Sequence, residues 1–193
     1  MPWVKTFDTN IAIDRATQVF WAKGYESTSL ADLLKATQIN KGSFYNAFGS
    51  KKSLFTQSLT KYDQENRRVA ITQLSALNDP IVAISHFFDM VLDESVNDKD
   101  CKGCFLINTA LDSPNHDADI QAIVKTGLME LQTFFEEQVS LGISTGVIPS
   151  DKNPNAIAKS LVAQLVGLRV LARGVFDVDS LTTIKSQALN LIK

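Results

Sequence analysis

The chain is 193 residues long, 45% apolar and 21% charged, with 9 glycines, 5 prolines and 2 cysteines. These proportions exclude a disordered chain, a turn-rich sandwich or barrel and a disulfide scaffold; the length suits one domain, or one domain with a small module. The net charge of −2 conceals a split: residues 1–68 carry ten Lys/Arg against six Asp/Glu and residues 69–193 carry nine against fifteen, a basic head on an acidic body.

No apolar run approaches ~20 residues. The longest apolar zone, 156–175, is broken by Lys159, Gln164, Arg169 and Arg173. The opening Met1-Pro2-Trp3-Val4-Lys5-Thr6-Phe7-Asp8 lacks the apolar core of a signal peptide. A soluble, cytoplasmic protein with no membrane partner is expected.

Helical periodicity dominates the chain. Ala12, Ala16, Val19 and Phe20 share one helical face, which Gly24 can close. Ser29-Leu30-Ala31-Asp32 has capping-box spacing, with Asp in place of the usual Glu or Gln, and opens a short helix at 29–37. Asn40 is an N-cap for a third helix at 41–48, ended by Gly49. Ser50 caps a fourth helix that starts at Lys51 and runs past Arg68. Asp79-Pro80 is an N-cap followed by an N1 proline. A short apolar segment at 104–111 is broken by Ser113-Pro114-Asn115. Long helices are predicted at 117–144 and 155–173, and a last one at 180–192. The expectation is an all-α fold of about nine helices: a three-helix head at 1–50 and a body at 51–193, joined by the helix from about 51.

The helices at 29–37 and 41–48, joined by Gln38-Ile39-Asn40, have the form of a helix-turn-helix, whose second helix enters the major groove of DNA. Phe44 and Phe48, spaced i, i+4, anchor the second helix inward. Lys41, Gly42, Ser43, Tyr45 and Asn46 are left outside, with one cation and no acid. Asn pairs with adenine, Ser with several bases, and Lys and Tyr suit phosphate oxygens. Gly42 is costly in a helix, by roughly 1 kcal/mol against Ala. It makes sense where a DNA backbone or base comes close. Ser50, Lys51 and Lys52 start the next helix, where free N–H groups already favour an anion. Thr28 and Ser29 offer the same.

Three blocks of this head resemble the N-terminal domain of the TetR family of transcriptional regulators: Gly24-Tyr25-Glu26-Ser27-Thr28-Ser29-Leu30, then Ile39-Asn40-Lys41-Gly42-Ser43-Phe44-Tyr45-Asn46-Ala47-Phe48, then Ser50-Lys51-Lys52-Ser53-Leu54-Phe55. The resemblance covers about residues 8–58. It implies a recognition helix at 41–48, phosphate contacts at Thr28, Tyr45 and Lys51, and base-facing positions at Ser29, Gly42, Ser43 and Asn46. Asn40 departs from the family's frequent Ser or Thr, and Asn46 from a frequent His. The second departure changes which base is read.

The helix at 155–173 is apolar on more than one side, with Ile157, Leu161, Leu165 and Leu168 in one row and Val162, Val166 and Val170 in another. Such a helix must be covered twice, so a homodimer seam is expected at Leu161, Ala163, Leu165, Val166 and Leu168. The resemblance implies a four-helix bundle with two C-terminal helices per subunit, the second being either the one ending at Ser144 or the one starting at Ser180. It also implies a palindromic double-stranded DNA operator and a ligand-sensing body. The segment Gly103-Cys104-Phe105-Leu106-Ile107-Asn108-Thr109-Ala110-Leu111 resembles one branch of the family. Candidate ligand-binding residues are His86, Phe87, Cys104, Phe105, Asn108 and Met129, an apolar set with a few polar groups.

Cys101-Lys102-Gly103-Cys104 is a candidate redox pair. Lys102 beside it favours thiolate. A thioredoxin-like site lacks its βαβ context, and a zinc site would have only Cys101, Cys104, His86 and His116 to draw on at unequal distances. No metal and no cofactor are therefore expected. No phosphate loop, nucleophile elbow or zincin motif is present, so an enzyme is not expected. The sequence reads as a dimeric, DNA-binding repressor released by an unidentified small-molecule or thiol-reactive effector. The alternative is a regulator that answers to no effector or to a protein partner.

Overall fold

The protein is described by a computed structural model covering residues 7–193. Of the stretch read above for a leader, residues 1–6 lie outside the described residues. The described residues form α-helices joined by short turns, with no strand among them. They fall into two compact units, one ending at Glu65 and the other spanning Asn66–Lys193.

Local capping chemistry sets the helices of the first unit. Asp8 accepts from the N–H groups of Asn10 and Ile11 and starts α1, Thr9–Lys23. Gly24, at φ 78°, ends it in a backbone region that favours glycine. Ser29 opens α2, Leu30–Thr37, through a complete capping box with Asp32. Gln38 closes that helix in the left-handed region, at φ 60°. Asn40 Oδ1 accepts from Ser43 N at 2.8 Å and starts α3, Lys41–Phe48. Ser50 does the same for α4, Lys51–Asp63, by accepting from Ser53 N. The inner faces of these helices bury Phe20, Leu33, Phe44, Leu54, Phe55 and Leu59. At roughly 1.5–3 kcal/mol for each fully buried large apolar side chain, this core orients α3.

The helix that begins at Lys51 does run past Arg68, but its hydrogen bonding changes on the way. A π-helical turn, Gln64–Arg68, follows α4 and passes into α5, Val69–Ser75. The unit boundary falls inside this turn, not at residue 50, so α4 belongs to the first unit. The charge split shifts with it. Arg67 and Arg68 belong to the second unit, leaving eight Lys/Arg against six Asp/Glu before Asn66.

In the second unit Asp79 caps α6, Pro80–Asn97, with Pro80 in its first turn. The short α7, Phe105–Leu111, and a 3-10 turn, Ser113–Asn115, lead into α8, Ala118–Ser144. Then come α9, Pro154–Leu171, capped by Asn153, and α10, Val178–Asn190, capped by Asp177. With α4 and α5 counted together, as the sequence-predicted helix from Lys51 past Arg68, the described helices number the expected nine. Phe87, Phe88, Phe134 and Phe135 form the aromatic centre of the core, with ring centroids 5.3–6.0 Å apart. Gly142 is required by packing: a Cβ there would lie 2.5 Å from Ile148 Cδ1. No described helix is long and apolar enough to cross a membrane.

Candidate nucleic-acid interface

The turn Gln38-Ile39-Asn40 is pinned by buried Ile39 and leads into α3. Phe44 and Phe48 hold the inner face of that helix. Lys41, Gly42, Tyr45 and Asn46 are exposed and Ser43 is half-buried. Tyr45 is 46% exposed, with its ring edge-on to Phe44 at 5.4 Å. The helix holds no acidic residue. Its outward side therefore offers one cation, a phenol, an amide and a glycine. A Cβ at Gly42 would meet only Asn40 Oδ1, at an ordinary 3.4 Å, so packing within the chain does not demand glycine here.

Two of the flanking positions are tied into the fold. Thr28, a phosphate-contacting position by resemblance, is one of them. Its side chain is only 1% exposed and its hydroxyl donates to the Gly24 carbonyl at 2.6 Å, so it serves the turn before α2. Ser29 is exposed, but its hydroxyl donates to Asp32 Oδ2 at 2.7 Å and accepts from Asp32 N. Asp32 in turn takes Lys23 Nζ at 2.7 Å. Lys23, then the hydrogen bonds from Ser29, hold the Asp32 carboxyl far below the usual carboxylate range. Its negative charge is thereby matched locally by Lys23.

Lys51 opens α4 with its ammonium 4.4 Å from the centroid of the Tyr25 ring. It also donates to the Glu26 carbonyl at 3.5 Å. Tyr25 is the residue that sequence reasoning missed. It stood among the family-like residues, but nothing local paired it with a lysine 26 positions on.

In the second unit the six ligand candidates are not gathered into one pocket. Phe87 and Phe105 are buried, while His86, one residue before Phe87 on α6, is exposed. Met129 is 57% exposed and, alone of the six, lines a groove of about 510 Å³ with Arg68, Ile71, Thr72, Thr126, Glu130, Thr133, Phe134 and Glu137. Beside that groove Arg68 meets Glu130 through Nε at 3.1 Å and Nη2 at 3.0 Å, and Arg67 Nη2 meets it at 2.6 Å.

Asn108 is engaged elsewhere. It donates to the Lys102 carbonyl at 2.6 Å and accepts from Arg173 Nη1, while Arg173 Nε donates to the Cys101 carbonyl at 3.1 Å. This ties down the loop carrying Cys101, which is exposed, and Cys104, which is half-buried; both are free thiols. Among the described residues no group of three His, Cys, Asp or Glu is placed to hold a metal ion.

The seam candidates divide by row. Leu161, Leu165 and Leu168 are buried in the unit's own core, at 3% exposure or less, so they are already covered. Ala163 is exposed, while Val162, Val166 and Val170 are half-buried, touching the core with part of their surface and leaving the rest uncovered beside Gly167.

Comparison with known proteins gives a consistent picture. A family model described as bacterial regulatory proteins, tetR family, matches residues 12–57, and one described as a tetracyclin repressor-like C-terminal domain matches residues 80–186. The chain is 29% identical over 196 residues to the HTH-type transcriptional repressor ComR of Escherichia coli (strain K12), covering 97% of this chain and 90% of that protein. It is 28% identical to the uncharacterized HTH-type transcriptional regulator YezE of Bacillus subtilis (strain 168), over 92% of each chain. Among solved structures it is similar to a cysteine mutant of the TetR family transcriptional regulator CifR complexed with 26-bp double-strand operator DNA. The TM-score is 0.84 at 27% identity, over 97% of this chain and 98% of that one.

Proposed function

Because this chain belongs to the TetR family of bacterial regulatory proteins, and is thus a non-enzymatic DNA-binding transcriptional regulator, we propose that it is a homodimeric repressor, released from a palindromic operator by an effector met in its C-terminal body. The observation that carries the DNA-docking part is the outer face of α3: Lys41, Gly42, Tyr45 and Asn46 are exposed together, with no acid on the helix. Lys41, Tyr45 and Lys51 supply phosphate contacts, while Gly42, Ser43 and Asn46 face the bases, with Ser29 at the rim. One such module grips a single half-site. Two protomers place two recognition helices about one turn of DNA apart, or a multiple of it. The open apolar row of α9, Val162, Ala163, Val166, Gly167 and Val170, is the surface that a second copy covers.

The effector acts on the acidic body. Two features there support this reading: the groove beside Arg68 and Glu130, whose volume suits a small molecule, and the exposed thiol of Cys101 with Cys104 three residues on. Either ligand releases the operator only by binding the DNA-incompetent state more tightly. The test is selection of duplexes from a random-sequence pool, followed by titration of the bound complex with a panel of apolar small molecules, a quinone and hydrogen peroxide. The expected result is a palindromic site held by two protomers and released by at least one class of compound. Binding indifferent to every compound would replace the effector-released repressor with an effector-independent or protein-partnered regulator.

A further inference from the structure

Lys51 is a flexible side chain at the start of a helix, yet its ammonium is held by two adjacent residues of the turn between α1 and α2. We propose that Tyr25 is a positioning residue for DNA binding: its ring face and the adjacent Glu26 carbonyl hold the Lys51 ammonium ready for a backbone phosphate. The inference rests on the reading that Lys51 meets a phosphate.

The geometry is specific. The Nζ atom lies 4.4 Å from the Tyr25 centroid, well inside the distance at which a ring face attracts a cation. It lies 3.5 Å from the Glu26 carbonyl oxygen. An ammonium has three N–H donors. One turned to the ring and one to the carbonyl leave a third for an anionic oxygen, in a place where the first N–H groups of α4 already favour one.

The ring is itself fixed. Tyr25 packs edge-on against Phe55 at 4.9 Å and lies against Phe20 at 6.4 Å, and Phe20 meets Phe55 edge-on at 5.0 Å. Phe20 and Phe55 belong to the core that orients α3. The cation is therefore anchored to a ring that two buried phenylalanines of the first unit hold in place. A free lysine loses its rotamer freedom when it grips a phosphate. A lysine already held over a ring loses less.

The alternative is that Tyr25 only packs, and a double-mutant cycle on affinity for the selected duplex separates the two. Tyr25→Leu, in the presence of Lys51, is expected to weaken binding by about three- to tenfold, while Tyr25→Phe, which keeps the ring face, stays within about twofold. In a Lys51→Ala background Tyr25→Leu adds nothing further. Equal losses in both backgrounds would overturn the proposal and leave Tyr25 as packing alone. Should Tyr25→Leu fail to fold, fluorinated phenylalanines at position 25 drain the ring face without changing its shape. Affinity then falls stepwise with fluorine number if the proposal holds and stays flat if it does not. Lys51→Ala alone tests the underlying reading: an unchanged affinity and an unchanged salt slope would remove the phosphate contact itself, and the positioning role with it. A normal Lys51→Ala loss without coupling to Tyr25 would remove only the latter.

Discussion

The hydroxyl of Thr28 donates to the carbonyl of Gly24 at 2.6 Å, one residue before the cap of the helix that carries the recognition turn. The side chain is buried, so its effect on DNA is exerted through the fold. Thr28→Val is expected to lower stability by about 1 kcal/mol through the lost hydrogen bond, measured by denaturant unfolding. Its salt dependence of DNA binding should match the parent. Threonine carries no charge, so the contact would show in affinity instead: a several-fold loss at fixed salt in the folded variant would restore Thr28 as a phosphate contact.

Gly42 is exposed and its Cβ space is open, so the fold tolerates alanine there. Gly42→Ala should raise stability by a few tenths to about 1 kcal/mol. The added methyl stands where DNA must approach, and operator affinity should fall at least about tenfold. Thermal melts and binding isotherms on the same preparation give both numbers. A more stable variant with full affinity would mean that nothing comes close to this position.

Asp32 titrates with a defined sign. Its folded carboxyl is held below the ordinary 3.8 by Lys23 first and Ser29 second. A depressed acid stabilises the fold above its unfolded value, and that contribution fades as pH falls through the folded value. Asp32→Asn should therefore melt below the parent at pH 7, and the gap should narrow once pH drops beneath about 4. A gap constant from pH 7 to pH 3 would place the stabilisation elsewhere.

The two rows of α9 make opposite predictions. Leu165 is buried within its own unit; Leu165→Ala should cost about 2–5 kcal/mol of stability. Ala163 is exposed on the other side of the helix. Ala163→Asp should leave the monomer folded but shift sedimentation equilibrium from dimer to monomer. An intact dimer in that variant would move the seam off this face.

Much of the head was legible because its determinants are local. Asp32 follows Ser29 by three residues, Ser43 follows Asn40 by three, and Ser53 follows Ser50 by three, so the caps are written in adjacent residues. The failures arise where the deciding partner is distant or the pattern is degenerate. Nothing in Gln64–Arg68 announces a π-helical turn, and Glu130, which receives both arginines, lies more than 60 residues away. On α9 both rows are apolar, so periodicity shows that two sides need cover without showing which side the chain covers itself. On α6 His86 was grouped with Phe87, but one residue turns a helix by about 100°, and His86 lies outside while Phe87 lies within. The pairing of Lys51 with Tyr25 has no sequence signature at all.

The central claim is that the outer face of α3 and the start of α4 dock on DNA phosphates and bases. Operator affinity measured across salt concentration, for the parent and for a Lys51→Ala, Tyr45→Ala protein, tests it most directly. The parent should show a steep log–log slope, and the variant a weaker affinity with a slope smaller by about one, for the single lost cationic contact. A variant that binds its duplex as tightly as the parent, with the same slope, would contradict the docking.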